Sequence, residues 1–241
     1  MYETAKTDLE MYGYAMIPGV FGQVECDLIR EEAYRLQAIP RAQSNMQWKL
    51  NGKRRSPGLL FWPQDLSPYM RDVAFDPRLR NIVTSFLGPD VLQLNNQVYY
   101  RESGDGDEFA WHQDICFRTP REDFKGIESA YLQTIIVVDR ITHDNGAVEF
   151  IPGSHKWGEV KDLVPRDNTE YGLREFRRGS YKGVKLIANP GDVLLWSVMA
   201  VHGSEQNNSG EHRMTYMNGF AAANAVKPGK FPVYTKDGKP L

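Results

Sequence analysis

The chain has 241 residues, of which 41% are hydrophobic and 25% charged, and its formal net charge is −2. This profile is typical of one globular domain with a substantial core, and it gives no attraction to nucleic acid or to membrane surfaces. Two cysteines, Cys26 and Cys116, cannot make a disulfide framework, and residues 1–10 lack the apolar stretch of a secretory signal. We therefore expect a cytoplasmic protein that contacts neither nucleic acid nor membrane.

The first part of the chain is predicted to be mainly helical. Helices are expected over residues 4–12 and Gln23–Gln37, with a short strand at Tyr14–Ile17 between them. Apolar residues at helical spacing mark the expected buried face of the second helix. That face is predicted to contain Val24, Leu28, Ala33 and Leu36.

Two further helices carry start signals. Ser67 stands before Pro68, and Asp76 stands before Pro77, so each pair supplies a capping side chain followed by a proline at the first turn. Gly88 is expected to end the second of these helices.

Two polar segments have no clear period. Residues 41–57 carry five basic side chains and are predicted to be a solvated loop, with a flap over an anionic substrate as the alternative. Residues 156–182 are long and irregular, and they are predicted either as ordinary surface or as a lid that closes over a site.

From residue 91 onward the pattern becomes that of strands. Strands are predicted up to residue 112 and then at residues 131–138, 147–151, 184–188, 193–196, 200–203 and 213–220. About eight short strands without helices between them indicate a sandwich, a barrel or a jelly roll.

A His-x-Asp tripeptide ends one predicted strand, in the sequence Trp111-His112-Gln113-Asp114. Because residues i and i+2 of a strand point to the same side, His112 and Asp114 are expected to face one point. With His202 as a second imidazole they would form the two-histidine, one-carboxylate set that holds Fe(II) and leaves coordination positions open. Alone the tripeptide is a weak signal, because such pairs are common on protein surfaces.

An arginine follows the third candidate ligand. Arg213 comes 11 residues after His202, and residues 205–211 have the composition of a hairpin turn, so the two are expected on neighbouring antiparallel strands. The planar guanidinium could grip a carboxylate such as the far end of 2-oxoglutarate. The alternative is a surface ion pair with Glu205 or Glu211.

The chain resembles the phytanoyl-CoA dioxygenase family of iron(II)/2-oxoglutarate oxygenases. Each shared motif is short, but their order and spacing together are specific. One departure is Arg101-Glu102, where the family often has Lys-Pro. The shared motifs are Tyr12-Gly13-Tyr14, Ile17-Pro18-Gly19-Val20, Trp111-His112-Gln113-Asp114, Asn145-Gly146-Ala147, Ile151-Pro152-Gly153-Ser154-His155, Pro190-Gly191-Asp192-Val193, His202-Gly203-Ser204 and Arg213.

The resemblance implies a mainly β fold, a double-stranded β-helix (jelly-roll) core with N-terminal and flanking helices. We expect one domain over residues 1–241, with a helical part over about 1–90 and the core over about 91–222. The implied metal ligands are His112, Asp114 and His202. The implied contacts to 2-oxoglutarate come from Arg213, Ser204, Gln97 and Thr134. Three aromatic residues are candidates for a substrate pocket, although aromatic residues are more often plain core: Phe117, Trp62 and Tyr131.

The implied activity is oxidation of an unactivated C–H bond of a small organic metabolite, most simply hydroxylation. It would use Fe(II), 2-oxoglutarate and O2, and it would release succinate and CO2. Alternatives with the same cofactors are desaturation, epoxidation and cyclisation, whereas halogenation needs the position that Asp114 fills. An alternative of another class is a non-catalytic or metal-independent jelly-roll protein. The sequence identifies neither the substrate nor the oligomeric state.

Overall fold

The computed structural model describes residues 2–51, 54–104, 108–160, 163–165, 174–176, 181–229 and 233–234. Its helices are α1 (Tyr2–Tyr12), α2 (Gln23–Gln37), α3 (Pro63–Leu66), α4 (Pro68–Ala74) and α5 (Pro77–Leu87). Its strands are β1 (Tyr14–Ile17), β2 (Met46–Asn51), β3 (Arg54–Phe61), β4 (Val91–Arg101), β5 (Phe109–His112), β6 (Tyr131–Val137), β7 (Val148–Phe150), β8 (Leu163–Pro165), β9 (Arg174–Phe176), β10 (Val184–Lys185), β11 (Val193–Ser197), β12 (His202–Ser204), β13 (Arg213–Ala222) and β14 (Val233–Tyr234). None of the helices in these ranges has both the length and the apolar character of a membrane-spanning segment.

The core consists of two antiparallel sheets. The larger has eight strands in the order β1-β11-β6-β13-β4-β3-β2, with β14 beside β4, and the smaller has the order β10-β7-β12-β5. Successive strands from β4 to β7, and again from β10 to β13, alternate between the two sheets. This alternation is the wrapping of a jelly roll, so the predicted fold class is confirmed.

The larger sheet is buried on both faces. In β6 every residue is buried, and successive side chains belong to different clusters because they point to opposite faces. Ile136 packs with the helices, whereas Ile135 packs with residues of the smaller sheet such as Phe150. The helices therefore cover the outer face of the larger sheet, and the inner face is left for the space between the sheets.

The predicted helix starts are present. The Ser67 hydroxyl accepts a hydrogen bond from the backbone N–H of Met70 at 3.3 Å, and the Asp76 carboxylate accepts one from Arg78 N–H at 2.8 Å. Gly88 closes α5 with φ +87°, a conformation that favours glycine.

The bounds of α2 match the prediction, but its predicted buried face is partly wrong. Val24 and Leu28 are 71% and 45% exposed. Leu28 and Ala33 are five residues apart, which separates them by about 140° around a helix, so they do not share a face. The residues that are buried follow the regular spacing of one stripe: Cys26, Ile29, Ala33 and Leu36.

The predicted loop over residues 41–57 is also wrong. A 3₁₀ helix covers Pro40–Asn45, and β2 and β3 form a hairpin that extends the larger sheet through β4. The side chains of Lys49, Arg54 and Arg55, like Lys53, lie outside the described residues, so the flap remains a prediction.

The segment 156–182 is not wholly irregular either, because β8 pairs with β9. The rest of residues 161–180, and all the side chains of that segment, lie outside the described part of the chain. The lid therefore remains a prediction.

Candidate active site

Two histidines stand side by side in the smaller sheet. His112 on β5 and His202 on β12 are direct cross-strand partners, and their ring centroids are 4.3 Å apart. Nδ1 of His112 lies 2.7 Å from Ala110 O, and Nδ1 of His202 lies 2.9 Å from Ala200 O. A carbonyl oxygen only accepts, so each Nδ1 carries the proton and each Nε2 is left with a lone pair.

Asp114 completes a cluster with the two rings. The strand ends at His112, and Asp114 begins a 3₁₀ helix, so its placement does not come from strand alternation as the sequence predicts. Oδ1 of Asp114 lies 3.6 Å from His112 Nε2 and 3.8 Å from His202 Nε2. Oδ2 accepts a hydrogen bond from the indole Nε1–H of Trp196 at 2.8 Å, which fixes the carboxylate.

This donor set fits a divalent metal. The three side chains are buried, and their ligand atoms lie within 4.8 Å of one another. Two imidazole nitrogens and one carboxylate oxygen on one side of an ion are the donors of non-haem Fe(II) oxygenases. Each donor also has the outer hydrogen bond that orients such ligands.

The electrostatics keep the donors in the forms that bind metal. Burial acts to raise the pKa of the Asp114 carboxyl, but the neighbouring His202 and His112 outweigh it and hold that pKa below its ordinary value. Burial, and then the adjacent His112, lowers the pKa of His202 to about 4. We therefore assign an ionised Asp114 and a neutral His202 at neutral pH.

The three donors lie in the wall of a cavity of about 290 Å³ between the sheets. Leu59, Phe61, Phe109 and Val148 are among its apolar lining residues. Among the candidate 2-oxoglutarate contacts, Arg213, Ser204 and Gln97 also line it. The cavity is thus a largely apolar chamber with its polar groups at a few defined points.

Arg213 lies in the other sheet from His202, so the prediction that they sit on neighbouring strands is wrong. β13 pairs with β4 and β6, whereas β12 pairs with β5 and β7, and the two residues line the same cavity from different sheets. The connection between them crosses from one sheet to the other, which residue spacing does not reveal.

The alternative of a surface ion pair fails for Arg213, which is 4% exposed. Its Nε has no hydrogen-bond partner among the described residues. Burial, and then the charge of Arg101, its cross-strand partner, lower the pKa of Arg213 to about 9. The group is still charged at neutral pH, and a carboxylate is the natural partner for it.

Two of the other polar candidates differ in position. The Oε1 of Gln97 is buried at the cavity and lacks a partner among the described residues. Thr134 is not in the cavity lining, and its hydroxyl donates to Asn218 O at 2.8 Å. Thr134 alternates with Ile135 and so faces the helices, which argues against its predicted contact with 2-oxoglutarate.

The three aromatic residues predicted for the substrate pocket also differ in their position relative to the cavity. Phe117 lines the cavity and packs edge-on against His112, with ring centroids 5.6 Å apart. Trp62 lines it too, with a left-handed backbone at φ +51°. Tyr131 is buried and is not among the lining residues, and its hydroxyl donates to Gln133 Oε1 at 2.6 Å, which argues against its predicted place in the pocket.

Three residues at the site are absent from the sequence prediction. Trp196 is the only side chain with an N–H donor in strand β11, which is a usable signal. Arg118 follows Asp114 by four residues and lines the cavity. Arg101 donates from Nη2 to the Ser204 hydroxyl at 3.1 Å, so the residue that departs from the family motif holds a candidate site residue in place.

Sequence comparison agrees with this geometry. Residues 9–215 match the family described as phytanoyl-CoA dioxygenase (PhyH). An ectoine dioxygenase of Sphingopyxis alaskensis is 28% identical over 231 residues, which cover 89% of this chain and 72% of that protein. A probable alpha-ketoglutarate-dependent hypophosphite dioxygenase of Stutzerimonas stutzeri is 26% identical over 230 residues, which cover 88% and 76%. Alpha-ketoglutarate is another name for 2-oxoglutarate.

Solved structures share the fold. The crystal structure of EctD from S. alaskensis with 2-oxoglutarate and 5-hydroxyectoine has a TM-score of 0.75 and 22% identity, and the match covers 92% of this chain and 76% of that one. The epimerase SnoN in complex with Fe3+, alpha-ketoglutarate and nogalamycin RO has a TM-score of 0.74 and 21% identity, with 100% and 95% covered. The family match extends over most of the sequence and includes all three metal-binding candidates. This chain therefore belongs to the phytanoyl-CoA dioxygenase family, and it is an iron- and 2-oxoglutarate-dependent dioxygenase.

Proposed function

We propose that this enzyme hydroxylates an unactivated C–H bond of a small organic metabolite and releases succinate and CO2. The mostly apolar cavity supports a small-molecule substrate. The names of two relatives point the same way, since they refer to ectoine and to hypophosphite. The hydroxylation outcome is our choice among the oxidations that this cofactor pair supports.

The proposed metal ligands are His112, Asp114 and His202. Iron, when bound, supplies the activation of O2 that the protein's own side chains lack. The Nδ1–H bonds of the two rings, and the Trp196 indole on Asp114, hold the donor atoms in one orientation. The protein thus provides a preformed set of ligands on one side of the ion.

The proposed role of Arg213 is to bind the far carboxylate of 2-oxoglutarate. Its buried guanidinium offers parallel N–H donors that match a carboxylate. Ser204, to which Arg101 donates, lines the same cavity and would add a hydroxyl contact, and Gln97 would add an amide contact. The apolar lining limits the access of water while the co-substrate is consumed.

The observation that carries the proposal is the combination, within one cavity, of three convergent metal donors and a buried arginine whose Nε has no partner among the described residues. A jelly-roll protein that only binds an anion could use the arginine, but it would not need three metal donors in the same cavity. Burying a guanidinium is costly unless an anion pairs with it, so its presence implies an anionic co-substrate.

The proposal is tested in two stages. In the first stage, 2-oxoglutarate is added to anaerobic protein loaded with Fe(II), and the visible charge-transfer band of iron-bound 2-oxoglutarate should appear. In the second stage, a substrate screen under oxygen should find compounds that accelerate succinate formation. With ¹⁸O2, a hydroxylated product gains one labelled oxygen atom, whereas a desaturated product loses two hydrogens and gains none.

Asp114→Ala should abolish both the band and the oxidation, because it removes a ligand and the negative charge at the metal. Asp144→Ala, the same change at an exposed aspartate, is the matched control. Undiminished turnover by the Asp114 variant, after metal stripping and reloading with iron, would exclude this metal site.

A further inference from the structure

Arg118 is a second guanidinium in the cavity, and the proposed function does not use it. It follows the 3₁₀ helix Asp114–Phe117 and lines the cavity. Its Nη2 donates to the Tyr131 hydroxyl at 2.6 Å, and its Cζ lies 4.5 Å from the centroid of the Tyr131 ring. Its Nε is buried and has no hydrogen-bond partner among the described residues.

Hydrogen bonds hold the Tyr131 hydroxyl that Arg118 contacts. The Tyr131 hydroxyl accepts a hydrogen bond from Arg118 and donates one to Gln133 Oε1 at 2.6 Å, so its proton points to Gln133 and a lone pair faces Arg118. A Cβ at Gly219 would collide with the Tyr131 hydroxyl, so the glycine makes room for this arrangement. A guanidinium held in one orientation loses little freedom when it binds a ligand.

Arg118 makes no salt bridge with a described residue, and the carboxylate that acts on it electrostatically is Asp114, a proposed metal ligand. Burial raises the pKa of Tyr131, so that hydroxyl is uncharged at neutral pH and offers no compensating charge. Among the described lining residues, Asp114 is the sole carboxylate, against two guanidiniums, Arg118 and Arg213. Arg101 and Asp139 act on Arg213 from outside the lining with opposite signs.

The charged groups of the loaded cavity sum to one positive charge. The two positive charges of ferrous iron would cancel the two negative charges of 2-oxoglutarate, which leaves one carboxylate, Asp114, against the guanidiniums of Arg118 and Arg213. One positive charge therefore remains. Arg118 is half-buried, but its Nε is buried, and a negatively charged substrate would supply both the missing charge and a partner for that atom.

We propose that the substrate is a small monoanion with an apolar body, and that its oxyanionic group, a carboxylate in the simplest case, accepts hydrogen bonds from Arg118. This inference rests on the proposed function, since it assigns the substrate class of the same site. The apolar body would contact lining residues such as Leu94, Phe117 and Met217. The oxyanion would fix which carbon faces the metal donors.

The test is a library of apolar monocarboxylates matched one to one with their primary amides. Thermal-shift screening of anaerobic protein, loaded with Fe(II) and 2-oxoglutarate, finds binders, and calorimetry gives their dissociation constants. Acids should predominate among the binders. An equal number of amides and acids, or no bound acid at all, would overturn the proposal.

Variants of Arg118 separate its possible roles. Arg118→Gln should raise the dissociation constants of the acids by about tenfold or more, because a charge-assisted hydrogen bond is lost. It should change the dissociation constants of the amides by less than about twofold. Arg118→Lys should restore part of the preference for acids. Tyr131→Phe, which removes the Nη2 partner and keeps the charge, should retain that preference.

Two results with Arg118→Gln contradict the proposal in different ways. If the affinity for acids and the affinity for amides fell equally, Arg118 would be a structural residue. If the affinity for 2-oxoglutarate, measured by titration of the charge-transfer band, fell instead, Arg118 would be assigned to the co-substrate. Absence of that band in the unmodified protein is a failure of the proposed function itself, and it is therefore distinguishable from either result.

Discussion

The hydrogen bond from Trp196 to Asp114 allows a direct test of how the protein orients its metal ligand. Trp196→Phe removes the indole N–H, which lies 2.8 Å from Asp114 Oδ2, and keeps an aromatic ring in the same place. The ring contacts with Phe150 and His202, at 5.5 Å and 5.4 Å between centroids, would largely remain. The substitution therefore isolates the hydrogen bond better than a truncation would.

The expected effect follows from the strength of that bond. A hydrogen bond to a charged group contributes about 1.5–3 kcal/mol, which corresponds to a factor of roughly 10 to 150 in an equilibrium constant. This range agrees with the loss of roughly tenfold to a hundredfold in metal affinity that is typical when a metal ligand loses its hydrogen-bond partner. We expect iron affinity to fall within this range, while 2-oxoglutarate affinity at saturating iron changes little.

The assay is an anaerobic Fe(II) titration against a chelator of known affinity. Phe150→Leu is the control, because Phe150 packs against Trp196 and His202 but donates no hydrogen bond to Asp114. It should lower stability, as Trp196→Phe also should, with little change in iron affinity. If folded Trp196→Phe protein bound iron within about twofold of the unmodified protein, the argument that this hydrogen bond orients Asp114 would be refuted.

Two further predictions concern arginines. Arg213→Lys should raise the apparent KM for 2-oxoglutarate about tenfold or more, because the charge remains but the two parallel N–H donors of the guanidinium are lost. Arg140→Lys, at an exposed site, is the control. Unchanged binding of 2-oxoglutarate by the Arg213 variant would leave Arg213 a structural role. The hydrogen bond from Arg78 lowers the pKa of Glu25 below its ordinary value, so the pair stabilises the fold above that value and the contribution is lost as the pH falls through the lowered pKa. Arg78→Met should therefore cost roughly 1 kcal/mol in urea unfolding at pH 7 and progressively less below about pH 4, and a cost independent of pH would contradict this origin.

Local signals in the sequence predict the local features of this fold well. The caps at Ser67 and Asp76 and the turn at Gly88 are determined by neighbouring residues, and the structure has all three. The face of α2 is predicted only in part, because the prediction includes Val24 and Leu28 for their apolar character, whereas regular helical spacing selects the stripe that contains Cys26 and Ile29. Apolar character alone does not distinguish a residue that packs on a sheet from one that faces solvent.

The arrangement of the site depends on contacts that are distant in sequence. His202 and Arg213 are close in the chain, but they belong to different sheets, and only the three-dimensional path of the connection decides this. Thr134 was assigned to the cavity by resemblance, and the pleat of β6 turns it to the helices. Trp196 lies in a fully buried stretch of strand, where alternation gives no sign of which face holds the metal donors.

The metal donors also connect the two layers of the jelly roll. His112 and His202 belong to the smaller sheet, whereas Trp196, which holds Asp114, belongs to the larger. Metal binding and unfolding should therefore be thermodynamically linked, because separating the sheets destroys the binding site. A metal present at a hundred times its dissociation constant stabilises a folded protein by about 2.7 kcal/mol. The iron concentration around this protein would then determine how much of it stays folded, as well as how much is active.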